Sequence, residues 1–202
     1  MTRTASSTYN AEISAGSLML PESRKLARVL LQHPSEEAWA EALKQDNVLQ
    51  KKTPATARRQ ARLIRNRLET LDEAGWQLIA DGNNEVTTQM LLAASIKHSQ
   101  LLGDFIKDVY AQHLRRLERS LNPRSWDAFL IECAHRDAAV STWADSTKKK
   151  LFQVIIRILA ESGYLDSTRK MNLTPPMLHP TVVTYLKRIG DGQTLACMEH
   201  RR

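Results

Sequence analysis

The chain of 202 residues carries 29 Lys and Arg against 22 Asp and Glu, a formal net charge of +7, with 42% hydrophobic and 25% charged residues. That balance excludes a disordered or fibrous polymer and describes a soluble globular protein of one or two domains with enough apolar residues for a real core. The positive excess selects polyanionic partners, nucleic acid first and an acidic membrane surface second.

Seven glycines and an abundance of Leu, Ala, Arg, Glu and Gln point to a mainly helical chain. Cys133 and Cys197 are too far apart in sequence to read as a disulfide framework and suit a reducing compartment, so a cytoplasmic location is expected. Residues 1–10 are polar and Ser/Thr-rich, a loose tail without the apolar centre of a secretory signal, and residues 1–20 serve as a lead-in.

A first helix is expected over residues 21–32, where Leu26, Val29 and Leu30 share a face, and His33-Pro34 breaks it. Ser35 caps a second, with Glu36 and Glu37 placed where the helix dipole favours negative charge and Trp39 and Leu43 on its apolar face. Residues 51–70 then organise the rest. Lys51, Lys52, Arg58, Arg59, Arg62, Arg65 and Arg67 against Glu69 leave +6 on this stretch, close to the charge of the whole chain. Thr53-Pro54 is an N-cap followed by a first-turn proline. Ala57, Ala61, Ile64, Leu68 and Leu71 fall into one stripe at about 100° per residue, and Arg58, Arg59, Arg62, Arg65 and Asn66 fall opposite it. Helix, turn, helix, turn and long basic helix is the layout of a helix-turn-helix whose last member lies in a DNA groove. The plainer reading is a solvated arginine face on an ordinary bundle helix.

A short helix through Trp76, Leu78 and Ile79 stops at Asp81-Gly82, and Asn83 or Asn84 caps a broadly apolar helix carrying Met90, Leu91, Ala94, Leu101 and Leu102, expected to be central. Gly103-Asp104 either breaks or kinks it. Arg115, Arg116 and Arg119 near a helix end form a second basic patch, or merely complement the dipole. Asn122-Pro123 repeats the cap-and-proline signature before Trp126, Phe129, Leu130 and Cys133; Asp137 and Asp145-Ser146 are further caps. Lys148, Lys149 and Lys150 open the next helix, either kept for a partner or simply an exposed basic end, and Ser162-Gly163 closes it. Beyond lie a short helix over residues 181–189 and, over 194–198, a terminal strand pairing near 169–173. The fold expected is a multi-helix bundle with a helix-turn-helix-like basic lobe (21–82) and a helical lobe (83–202) ending in a small α+β cap, winged-helix or otherwise.

Catalytic patterns are missing from the sequence. The six histidines are scattered, Cys133 with His135 has no second pair to complete a zinc set, and no phosphate loop, dinucleotide glycine run or nucleophile elbow occurs. Asp104 and Asp108 read as surface or cap residues, and the four tryptophans as core. No cofactor, metal, small-molecule substrate or membrane span is expected.

Ser17-Leu18, Leu20, Glu22-Ser23, Asn47, Leu49-Gln50, Thr56-Ala57, Arg59, Leu101-Leu102-Gly103-Asp104-Phe105, Trp143, Leu159-Ala160-Glu161 and Gly163-Tyr164-Leu165 occur in an order that resembles the BrxA family of BREX bacteriophage-exclusion islands. The resemblance implies a bacterial cytoplasmic, non-enzymatic component of a defence system that methylates host DNA and blocks phage DNA replication. It also implies an all-helical fold compared with the RNA-binding factor NusB, and for some members an inner-membrane label, against which this sequence argues.

The expected function is therefore nucleic-acid binding, double-stranded DNA foremost, through the helix opening at Thr53. Lys51, Lys52, Arg58 and Arg62 would neutralise phosphates, and Arg59, Arg65 and Asn66 would reach base edges. RNA binding in the NusB manner and an adaptor role toward other BREX components are the alternatives.

Overall fold

In a computed structural model, which describes residues 8–44, 48–50 and 53–200, the helix signals are obeyed nearly where the chemistry puts them. A 3₁₀ turn (Glu12–Ala15) leads into α1 (Leu20–Leu30) and α2 (Glu36–Lys44). Between them His33 takes a left-handed backbone at φ +48 just ahead of Pro34. The Ser35 hydroxyl accepts from the Ala38 N–H at 3.2 Å.

Helix α3 (Pro54–Leu68) starts at Thr53, whose hydroxyl accepts from the Thr56 N–H at 3.3 Å. Asp72 and Asn83 cap α4 (Glu73–Asp81) and α5 (Asn84–His98) in the same way, each leaving one fewer orphan N–H. The far end of α4 is satisfied from α1. Arg24 donates to the Gly82 carbonyl at 2.6 Å, and Arg28 to that of Ala80 at 3.0 Å.

As its broad apolar arc requires, α5 is central: Met90, Leu92, Ala93 and Ala94 have no exposure, and the helix packs against α1, α3, α4, α10 (Pro180–Arg188) and α11 (Gly192–Met198). One apolar cluster runs from Tyr9 to Met198. Trp39 and Trp126 belong to its buried part, and Trp76 and Trp143 lie partly buried against it.

The chain breaks at Ser99 rather than at Gly103. Ser99 is extended (φ −125, ψ 100) and its hydroxyl caps α6 (Gln100–Asp104), while Gly103 stays helical and continues into a wide π-type segment (Phe105–Tyr110) and then α7 (Ala111–Arg115). A serine capable of capping a new helix outcompetes a glycine whose only advantage is flexibility. Asn122-Pro123 forms a turn, with the Asn122 side chain accepting from the Arg124 N–H at 3.0 Å, and α8 (Ser125–Arg136) starts after it. Asp137 caps a 3₁₀ turn (Ala138–Thr142); α9 (Asp145–Glu161) starts at Asp145 itself without a side-chain cap, so neither Asp145 nor Ser146 is one. Gly163, at φ +81, supplies the left-handed residue after α9.

The C-terminal strand pair and winged-helix cap are not formed. Among the described residues there is no strand, and 194–198 lies in α11, where the Asp191 carboxylate accepts from the Thr194 N–H at 3.0 Å. Seven residues are too few for periodicity to separate helix from strand, and the cap decides. The segment near 169–173 pairs instead through isolated bridges, Ser120 with Asn172 and Leu165 with Leu173.

Candidate nucleic-acid interface

Ala57, Ala61, Ile64 and Leu68 form the buried seam of α3, joined by Leu71 beyond its end. Burial of Ile64 and Leu68 stabilises by roughly 1.5–3 kcal/mol each, enough to anchor the helix whatever its outer face does. Leu63 and Arg67 are buried as well, at 2% exposure each, so the core-facing arc is wider than the predicted stripe.

On the outer face the arginines divide. Arg58, Arg59 and Arg62 are exposed, and among the described residues none of their side chains forms an ion pair or hydrogen bond. Arg62 and half-buried Asn66 stand between two clefts: one of about 420 Å³ shared with Glu36, Trp39, Arg58 and Glu69, the other of about 250 Å³ shared with Glu12, Ser14 and Arg59. The guanidinium groups thus crown a ridge with a groove on either side.

Arg65, expected to reach base edges, is held inside the fold. It donates to the two Glu36 oxygens at 3.0 and 2.5 Å and to Glu69 at 2.7 Å, and its guanidinium lies 4.8 Å from the centre of the Trp39 ring. Hydrogen bonding from Arg65 keeps Glu36 below the usual carboxylate range. The contact ties α2 to α3 and fixes the wall of the larger cleft. Thr53 is spent on capping, and Lys51 and Lys52 lie outside the described residues.

Arg115, Arg116 and Arg119 are exposed at and beyond the end of α7, with Arg116 4.0 Å from Glu118. Of the lysines on α9, Lys149 and Lys150 are exposed and Lys148 sits 3.7 Å from Asp145. Sequence reading missed Arg169 and Lys170, also exposed, which the bridge between Ser120 and Asn172 brings near the α7 patch. Only the loop pairing reveals them, because fifty residues separate the two segments.

Sequence reading also missed a cleft of about 560 Å³ between α5, α6 and α11, lined by Lys97, Gln100, Lys107, Asp191 and Gln193 among others. Lys97 and Asp191 pair across it at 2.5 Å. Both cysteines are buried, and burial pushes the Cys133 thiol up to about 11 and that of Cys197 to about 12. Neither is a thiolate at neutral pH. Among the described residues no three His, Cys, Asp or Glu side chains gather as a metal site would require, and no helix is long and apolar enough to cross a membrane.

The model of the BrxA family matches residues 7–190. The chain belongs to the BrxA family. It is 40% identical over 191 residues to the BREX protein BrxA of Paramagnetospirillum magneticum, covering 95% of this chain and 96% of that one. The BREX protein BrxA of Escherichia coli O9:H4 is 34% identical, again over 95% of this chain and over 90% of its own length. A solved crystal structure of an uncharacterized protein from Magnetospirillum magneticum superposes with a TM-score of 0.88 at 39% identity, covering 94% of this chain and 97% of the other.

Several of the strings that resemble BrxA meet in space. The Glu161 carboxylate accepts from the Ser17 hydroxyl at 2.8 Å and the Leu18 N–H at 2.9 Å, and the Leu18 carbonyl accepts from the Ser23 hydroxyl at 2.9 Å. Tyr164 is fully buried, with its hydroxyl donating to the Met198 carbonyl at 2.8 Å. These strings describe the frame that carries the basic ridge; among the ridge arginines they include only Arg59.

Proposed function

We propose that this BrxA-family protein is a non-enzymatic BREX component that binds nucleic acid, double-stranded DNA foremost, along the exposed crest of α3. The observation that carries the reading is the contrast between neighbours on one helix. Arg65 has two carboxylates within hydrogen-bond reach, whereas Arg58, Arg59 and Arg62 have none among the described residues. Unneutralised guanidinium groups on a ridge flanked by grooves suit a phosphate backbone, and arginine's planar fork suits it better than a lysine would. Arg58, Arg59 and Arg62 contact the polyanion, Asn66 lies beside them, and Arg65 keeps α2 in place so that the ridge stays open.

The relatives named BREX proteins support the assignment to that system, and the net charge of +7 supports a polyanionic ligand. Converting Arg58, Arg59 and Arg62 together to Glu is expected to abolish retardation of a duplex at modest salt while the variant keeps its thermal transition. Unchanged binding by the folded variant would overturn the reading. Competition among duplex DNA, single strands and structured RNA at matched salt separates DNA from RNA. A partner protein that co-purifies after nuclease treatment, with no nucleic acid bound, would make the ridge a protein-docking face instead.

A further inference from the structure

Leu117 follows the end of α7 in a closing motif that ordinarily takes glycine. Its N–H donates to the Leu114 carbonyl at 3.0 Å, the Glu118 N–H donates to that of His113 at 3.1 Å, and its φ is +56. A Cβ is crowded in that backbone region. The side chain gains nothing in return, because it is 89% exposed. A leucine that strains its own backbone and packs against nothing in the fold suggests that its contact lies outside the fold.

Its surroundings indicate what that contact is. Exposed Arg115, Arg116 and Arg119 flank it in sequence. The segment after it is tied to the 171–173 segment by the Leu173 N–H on the Arg119 carbonyl at 2.9 Å and the Leu121 N–H on that of Met171 at 3.0 Å, which brings Arg169 and Lys170 to the same edge. The nearby carboxylates are engaged internally: Glu118 faces His113 at 3.3 Å and Arg116 at 4.0 Å, and Asp166 accepts from Asn172 and Ser167. The result is one apolar tip, rigidly held, in a cationic field.

We propose that Leu117 is a wedge that inserts between base pairs of a nucleic-acid duplex from the minor groove, with Arg115, Arg116 and Arg119 on the adjoining phosphates. This rests on the duplex-binding reading above and adds that the bound duplex is locally unstacked and kinked. Minor-groove proteins combine an apolar residue between base steps with basic side chains alongside in this way. A lipid surface fits less well, since membrane-lying segments present a stripe of apolar residues and this tip presents one leucine. Because two backbone hydrogen bonds already fix the tip, insertion needs little further ordering of the protein.

The test is a duplex carrying 2-aminopurine, labelled at both ends for energy transfer, titrated with the full chain, with Leu117→Gly and with Leu117→Asn. Glycine and asparagine both accept the left-handed backbone, so both variants are expected to melt no lower than the parent. The parent is expected to raise 2-aminopurine fluorescence and shorten the end-to-end distance; both variants should lose these signals and bind about tenfold more weakly. If the parent binds without unstacking or bending, or the variants distort the duplex as it does, the wedge is overturned and the duplex-binding reading survives. If the parent binds no duplex at all, both fall. Leu117-dependent capture on phosphatidylserine vesicles, without duplex distortion, would overturn the wedge in favour of a lipid contact.

Discussion

The guanidinium of Arg67 donates to the Ser17 carbonyl at 2.5 Å, joining α3 to a segment fifty residues earlier. A second hydrogen bond reaches the Gly16 carbonyl at 3.0 Å. Arg67 is 2% exposed and its Nε has no partner, and burial pushes its pKa down to about 10. Glu161, bonded to Ser17 and Leu18, supplies the compensating negative charge. Arg67→Ala would leave the Gly16 and Ser17 carbonyls without their donor, at a cost of about 1–3 kcal/mol. The expected outcome is a large drop in thermal midpoint, with Arg67→Lys restoring only part of it because an ammonium cannot reproduce the fork. A melting point within a degree or two of the parent would remove this structural role.

Arg62 and Arg65, less than a turn apart on α3, should respond oppositely to truncation. Arg65→Ala removes the Trp39 stacking and two ion pairs, and because the carboxylates are solvent-exposed the expected loss is only about 1 kcal/mol, with the salt dependence of duplex binding unchanged. Arg62→Ala should leave the melting temperature alone and reduce the slope of log affinity against log salt by about 0.9, the signature of one lost phosphate contact. Thermal melts and a salt titration on both variants check the pair.

Acid should destabilise the fold as pH falls below the ordinary histidine value of 6.5. His200 lies 5.1 Å from the ring centres of both Tyr110 and Tyr164, neither ring nitrogen has a partner, and burial lowers its pKa from 6.5 to about 4. The unfolded chain therefore binds more protons between those values. The contribution is complete above pH 6.5 and is lost as pH falls toward about 4, by roughly 2 kcal/mol after discounting the ring's partial exposure. His98, lowered by burial and then by nearby Arg67, acts in the same direction. Glu36, held low by Arg65, releases its pairing only at more acidic pH. Denaturant melts at pH 7 and pH 5 should show the decline, and His200→Phe should lessen it.

The sequence by itself determined the helix start at Thr53, narrowed that of α5 to Asn83 or Asn84, and marked the seam of Ala57, Ala61, Ile64 and Leu68. Each depends on groups within a few residues of one another, so hydrogen-bond chemistry and helical spacing suffice. It also marked which stretch carries the charge. Only the tertiary structure decided which cations remain free, because Arg65 is claimed by Glu36 and Arg67 by the carbonyls of Gly16 and Ser17, partners distant in sequence. The same holds for the C-terminal end, where the short apolar stretch 194–198 suits strand or helix equally well until the Asp191 cap and packing against α5 and α10 select the helix. Local rules place the backbone, but whether a charge faces solvent or a carboxylate depends on what the rest of the chain brings beside it.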